Sequence, residues 1–310
     1  MMTLILSLLF SFSAHAELSE VNSFGPNPGR LGMYVFSPSK PLAKAPVVVL
    51  LHGCAQTARD FDDETGWTKY AELGGFYLVL AEQSRGNNAM SCFNWFEPGD
   101  IRRGSGEVES IVQMIEAMKR AYRIDSDRIF VTGLSAGGAM AAAALANYPE
   151  VFKGGALVAG IPFGCGRDIS SAILCMNGLG AQRSAQELGD YVRRSSNHSG
   201  RWPMVSIWQG GADTAVNPSN AQDLVKQWSN LHEIDARPAL FEEEANYTRS
   251  VYANADGDDV IEYIVVKGQG HGQAIDPGPA LEQCGRPIPY VVDAGVCASY
   301  HISKFWGLIE

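Results

Sequence analysis

Apolar, β-branched runs alternate with stretches of helical spacing along most of this chain. That alternation restricts it to one broad architecture, a mainly parallel sheet covered by helices. "PVVVLLHG" (Pro46 to Gly53) is continuously apolar and ends in glycine, as a strand buried on both faces should. Leu31 to Phe36, "FYLVLAEQ", "RIFVTG", "GGALVAG" and "MVSIWQGG" are further expected strands. Between them, Glu107 to Tyr122 sets Val108, Ile111, Val112, Ile115 and Met118 on one helical face. Ala136 to Asn147 is an alanine-rich helix with Pro149 just beyond it. Pro218 to Leu231 reads as a helix capped by Asn217, and Ser299 to Leu308 as a last one. Phe241 to Tyr252 and Val260 to Val266 are expected as two strands joined by "NADGDD", whose Asp256-Gly257 pair is a turn signal. That loop lacks the spacing of a calcium site.

The 310 residues are 46% hydrophobic, enough for a large core. A net charge of −10 argues against a nucleic-acid partner and suits a neutral or apolar substrate. The apolar run Leu4 to Phe12, followed by Ala14-His15-Ala16, resembles a signal peptide over residues 1–16. The expectation is a secreted protein, extracellular or periplasmic, with no membrane span after cleavage. Residues 17–310 then form a single domain, since no repeat, linker or low-complexity tract interrupts them. Six cysteines in an exported chain make disulfides plausible, and no Cys or His cluster has zinc spacing. The pairing expected is Cys54–Cys92, Cys165–Cys175 and Cys284–Cys297, the last two joining near neighbours in sequence.

The stretch "VTGLSAGGAM" puts Gly133-Leu134-Ser135-Ala136-Gly137 between a strand and a helix. In that setting G-x-S-x-G is a nucleophile elbow, and the fold expected is the α/β-hydrolase fold, a mainly parallel central sheet flanked by helices. The serine sits on a sharp turn, side chains two residues either way would collide, and the following helix directs its positive end at the site. A serine hydroxyl needs a histidine base, and the base needs an orienting carboxylate. In this fold they follow in the order serine, carboxylate, histidine. Asp213, directly after the strand in "MVSIWQGGADTAVNP", is the candidate carboxylate; Asp168, Asp190 and Asp276 compete. His271, in the glycine-rich "VVKGQGHGQ", is the candidate base; His198, His232 and His301 are less well placed. The oxyanion donors expected are the N–H groups of Ala136 and of Cys54, which opens the loop after "LLHG". His52, ahead of the serine, is expected to organise that loop. The chemistry requires no metal and no organic cofactor.

These residues carry a resemblance. "LHGCAQTARDF", "CFNWFEPGD", "RGSGEVESI", "VTGLSAGGAM", "GGADTAVNP" and "GQGHG" occur in the order found in the poly(3-hydroxybutyrate) depolymerase family esterases. The chain resembles those secreted serine hydrolases, which also include feruloyl and acetylxylan esterases. The resemblance implies Ser135, Asp213 and His271 as a triad and an oxyanion role for Cys54. It also puts Phe93 and Trp95 of "CFNWF" beside the substrate. The implied partner is an ester: a short-chain polyhydroxyalkanoate polymer or oligomer, or alternatively an acylated plant polysaccharide carrying feruloyl or acetyl groups. No linker or binding-domain pattern is visible, which argues against attack on crystalline polymer. A non-catalytic relative that only binds such ligands is the competing class.

Overall fold

The computed structural model describes residues 18–180, 183–235 and 237–310. The expected signal peptide therefore lies outside the described residues. In chain order the first half runs β1 (Ser19–Glu20), β2 (Gly32–Phe36), β3 (Ala45–Leu51), α1 (Trp67–Gly74), β4 (Tyr77–Glu82), α2 (Pro98–Ile101), α3 (Gly106–Ala121), β5 (Ile124–Leu134) and α4 (Ala136–Asn147). The second half runs β6 (Gly154–Val158), α5 (Ile169–Met176), α6 (Ala185–Arg193), β7 (Met204–Gly210), α7 (Ser219–Leu231), β8 (Leu240–Glu243), β9 (Tyr247–Ala253), β10 (Asp259–Val266), β11 (Gln273–Ile275), β12 (Val291–Asp293) and α8 (Ala298–Phe305).

Ten strands make one sheet in the order β1-β2-β4-β3-β5-β6-β7-β10-β9-β8. The central pairings, from β4 through β3, β5, β6 and β7 to β10, are all parallel. The outer pairings are antiparallel. This is the α/β-hydrolase fold, with helices on both faces. The period of two along β3 divides its side chains between two cores: Val47, Val49 and Leu51 join one, Val48 and Leu50 the other. Each such side chain contributes about 1.5–3 kcal/mol by leaving water. The alanine-rich α4 is buried at every position. Small side chains let it lie close against β3, β5 and β6 while α3 covers its other side.

Three expectations change. The segment Phe241 to Tyr252 is two strands rather than one, because the chain turns at residues 244–246 and pairs β8 with β9. The helix expected from Pro218 begins at Ser219, although Asn217 Oδ1 does accept the Ser219 N–H at 3.0 Å. The short helices α1, α2 and α5 were not anticipated. For α5 a local signal exists: Asp168 and Ser171 form a reciprocal capping box. The "NADGDD" turn behaves as expected, with Asn254 Oδ1 accepting the N–H groups of Asp256 and Asp258. All three expected disulfides are present. Among the described residues no helix is long and apolar enough to cross a membrane.

Candidate active site

Parallel strands deliver their C-terminal ends to one rim of the sheet. Ser135 follows β5, Asp213 follows β7 and His271 follows β10, so all three leave the sheet at that rim. At Ser135 the backbone has φ 58° and ψ −117°, outside the regions a side chain ordinarily tolerates. Two glycines make this turn possible. A Cβ on Gly133 would meet the Gly137 carbonyl carbon at 2.4 Å, and one on Gly137 would meet Leu51 O at 2.2 Å. The Ser135 N–H is tied to Val158 O at 2.8 Å, and its carbonyl accepts the Ala139 N–H at 2.9 Å.

Asp213 and His271 are brought together by two crossing loops. Gly210 lies so close beneath the β10 loop that a Cβ there would meet Gly270 O at 2.3 Å. The Ala212 N–H donates to Gln269 O at 2.9 Å and locks the crossing. His271 Nδ1 then donates to Asp213 Oδ2 at 2.8 Å. The remaining acceptor capacity of Asp213 is used by the N–H groups of Ala215 (2.8 Å) and Val216 (2.9 Å) and by Gln209 Nε2 (3.2 Å). Burial by itself would raise the Asp213 pKa. The His271 bond and charge and the two amides outweigh it and hold the carboxyl below its ordinary value. With Nδ1 committed as a donor, His271 keeps Nε2 as a proton acceptor. Ser135 Oγ makes no hydrogen bond to that nitrogen; such bonds are commonly long before substrate arrives.

Among the described residues no acceptor in the chain takes the N–H of Cys54 or of Ala136, the first residue of α4. His52 is buried, with Nδ1 bonded to Gly53 O (2.7 Å) and Nε2 accepting the Gln83 N–H (3.0 Å). Burial lowers its pKa, partly offset by the Gly53 bond. It organises the loop, as expected.

Phe93 departs from its expected role. Its ring is 0% exposed and packs on His52 at 5.1 Å between centroids, leaving no surface for a ligand. A ring in the loop after β4 is drawn into the core because the Cys54–Cys92 bridge pins the neighbouring residue down. Trp95 retains a thin edge, 7% exposed, and packs edge-on against Phe96. The competing residues are otherwise engaged. Asp168 caps α5, Asp190 pairs with Arg193, and Asp276 bridges to Cys284. His232 bonds Pro203 O, His198 bonds Arg201 O, and His301 lies among Trp208, Tyr247 and Tyr300. Two neighbours of the site escaped sequence reasoning. Gln209 supports Asp213 from within β7, and Tyr290, nineteen positions beyond His271, holds its ring 6.0 Å from the imidazole. Nothing local in the sequence marks either.

The α/β-hydrolase sheet brings a candidate elbow serine and an Asp–His pair to one rim, and the relatives of this chain make it a carboxylic ester hydrolase. The chain belongs to the Esterase PHB depolymerase family, whose model matches residues 31–249. It is 42% identical over 303 residues to poly(3-hydroxyalkanoate) depolymerase C of Paucimonas lemoignei, covering 97% of this chain and 73% of that one. It is 31% identical over 284 residues to feruloyl esterase B of Thermothelomyces thermophilus, covering 87% and 93%. Among solved structures, acetyl xylan esterase from Aspergillus awamori superposes with a TM-score of 0.79 at 23% identity, covering 94% and 99%. That likeness establishes the fold alone.

Proposed function

We propose that this protein is an exported serine esterase acting on short-chain polyhydroxyalkanoate, as polymer or oligomers, by a two-step acyl transfer. The observation that carries the mechanism is the 2.8 Å Asp213–His271 bond on the rim shared with Ser135. His271 Nε2 takes the Ser135 proton as Oγ attacks the ester carbonyl. The Cys54 and Ala136 amides bind the oxyanion. Collapse of the tetrahedral intermediate breaks the ester C–O bond, and the imidazolium gives its proton to the departing alcohol. Water then attacks the acyl-enzyme, with His271 again as base, and releases the acid and Ser135. Asp213 holds the imidazole in the required tautomer and stabilises its charge. Trp95 is the aromatic edge available for a substrate contact.

The substrate reading is supported by the higher identity to the Paucimonas lemoignei depolymerase, 42% over nearly the whole chain. Identity to feruloyl esterase B, at 31%, supports the second reading, an esterase of feruloylated or acetylated polysaccharide. Three disulfides support export to an oxidising compartment. A hydrolysis panel separates the substrates: 3-hydroxybutyrate oligomers, amorphous polyester film, methyl ferulate and acetylated xylan. Highest kcat/KM on the oligomers is expected; highest kcat/KM on methyl ferulate or the xylan overturns the polyester reading.

A further inference from the structure

We propose that Glu107 is a positioning residue for the oxyanion loop: its buried carboxylate holds, from below, the two segments that bracket the Cys54 amide. The proposal rests on the oxyanion role assigned to that amide. Glu107 opens α3 within "RGSGEVESI" and is 1% exposed. Among the described residues no Lys, Arg or His side chain pairs with it. The groups bonded to its carboxyl oxygens are all donors. Gln83 Nε2 and Asn94 Nδ2 (2.9 Å) bond Oε1, and the Asn94 N–H (2.9 Å) bonds Oε2. The Gln83 amide cannot turn to relieve this, because its Oε1 accepts the Ser84 N–H (2.9 Å) and Asn87 Nδ2 (2.8 Å). Burial, with the nearby Asp100 charge adding to it, raises the carboxyl pKa, and the three donor bonds oppose that rise by favouring the ionised form.

Two arms run from this carboxylate to Cys54. Through Gln83, whose N–H donates to His52 Nε2, the first arm reaches the Gly53 carbonyl held by His52 Nδ1. The second runs through Asn94. Asn94 Oδ1 accepts Asn88 Nδ2 at 2.9 Å, and Asn88 Oδ1 accepts the N–H groups of Met90 (3.0 Å) and Cys92 (3.3 Å). Met90 O then takes the Ala55 N–H at 2.7 Å, and Cys92 is disulfide-bonded to Cys54 itself. Residues 53 and 55 and the Cys54 side chain are thus all tied to one hub. Ala55 is held at φ 61°, a left-handed conformation that alanine adopts only under constraint.

A buried carboxylate with no cation is expensive, and a packed apolar side chain would cost less. What the carboxylate supplies is acceptors alone: two oxygens can satisfy three donors arriving from two loops. A glutamine offers one oxygen, and its NH2 would face a donor. The arms would then relax, and an oxyanion amide displaced by about 0.5 Å loses its grip on the transition state more than on the ester.

The test compares wild type, Glu107→Gln and Asn94→Ala on p-nitrophenyl butyrate, with a trifluoromethyl ketone as oxyanion-forming inhibitor. Glu262→Gln, which removes another buried carboxylate from β10, is the structural control. Glu107→Gln should lower kcat roughly 10- to 100-fold with KM within about threefold, and weaken the inhibitor in parallel. Asn94→Ala should show the same pattern more weakly, which keeps the test alive if Glu107→Gln misfolds. Glu262→Gln should lower Tm without that split. Wild-type kcat and inhibitor affinity in both variants overturn the proposal, as does a loss that merely tracks Tm as in Glu262→Gln. Ser135→Ala separates the two levels: if it stays active, the site assignment fails and takes this proposal with it; if it is dead while Glu107→Gln is normal, only the positioning role fails.

Discussion

His271 donates its Nδ1 proton to Asp213 across 2.8 Å, although 58 positions separate the two residues in the chain. The pair exists because β7 and β10 are neighbours and end together. The loop crossing at Gly210 and Gly270 then turns both side chains toward each other. Replacing Asp213 by Asn keeps the shape but offers an NH2 where the imidazole must donate. The wrong tautomer is favoured, and kcat should fall on the order of 10³- to 10⁴-fold with KM little changed. Steady-state kinetics check this; a loss below tenfold would remove Asp213 from the site.

Ser135 combines a nucleophile with a strained backbone, and two variants separate these properties. Ser135→Ala keeps the strain and loses the hydroxyl, so hydrolysis should fall on the order of 10⁴-fold or more at unchanged stability. Ser135→Gly should be equally inactive yet more stable, by about 1 kcal/mol, because glycine accepts φ 58° freely. Denaturant titration alongside the assay reads both; an unstabilised glycine variant would show that the turn stores no strain.

Acid should weaken the fold through two histidines remote from the site. Burial pushes His232 and His301 down to about 4, with the Arg249 charge adding to the effect at His301. In the unfolded chain both protonate near pH 6.5; in the folded chain they wait until about pH 4. Between those values the unfolded state binds more protons. Stability is therefore full above the upper value and declines as pH falls through the window. At pH 5 the loss should be roughly 1–2 kcal/mol per histidine. His301→Phe, which keeps a ring beside Trp208 and Tyr247, should show a smaller drop in Tm between pH 7 and pH 5 than wild type. Comparing the two proteins cancels the opposite trend expected of Glu107. Equal drops would refute the account.

The three disulfides differ in the loops they close. Cys54–Cys92 spans 38 residues, against 10 and 13 for the others. On the chain-entropy account the long one contributes roughly 4 kcal/mol and each short one roughly 3. Serine replacement of Cys54 and Cys92 together should give the largest loss of stability, and alone of the three should lower kcat, since only that bridge touches the candidate oxyanion loop. A Cys165/Cys175 double variant with an equal kcat loss would contradict this division.

The central strands, the elbow and the triad candidates were legible because each has a local cause. β-branched runs mark β3 and β5, glycines flank Ser135 where a Cβ would collide, and glycines loosen the loop before His271. Reading failed where the cause is remote. Phe93 looks like an exposed anchor, yet it is buried against His52, forty-one positions earlier, and no pattern or periodicity connects the two; only the Cys54–Cys92 bridge ties their loops together. The β8–β9 hairpin was merged into one strand because its turn, Glu244-Ala245-Asn246, has neither glycine nor proline.

By itself the sequence determined which side chains can do chemistry and that a serine must occupy a tight strand-to-helix corner, since composition and spacing act within a few residues. Only the tertiary structure decided that Asp213 meets His271, that Tyr290 stands beside the imidazole, and that Glu107 is buried against Gln83 and Asn94. Those relationships depend on which strands become neighbours and which loops cross at the rim. Neighbours of that kind are selected by packing the whole sheet and its two cores, a property no short window of residues contains.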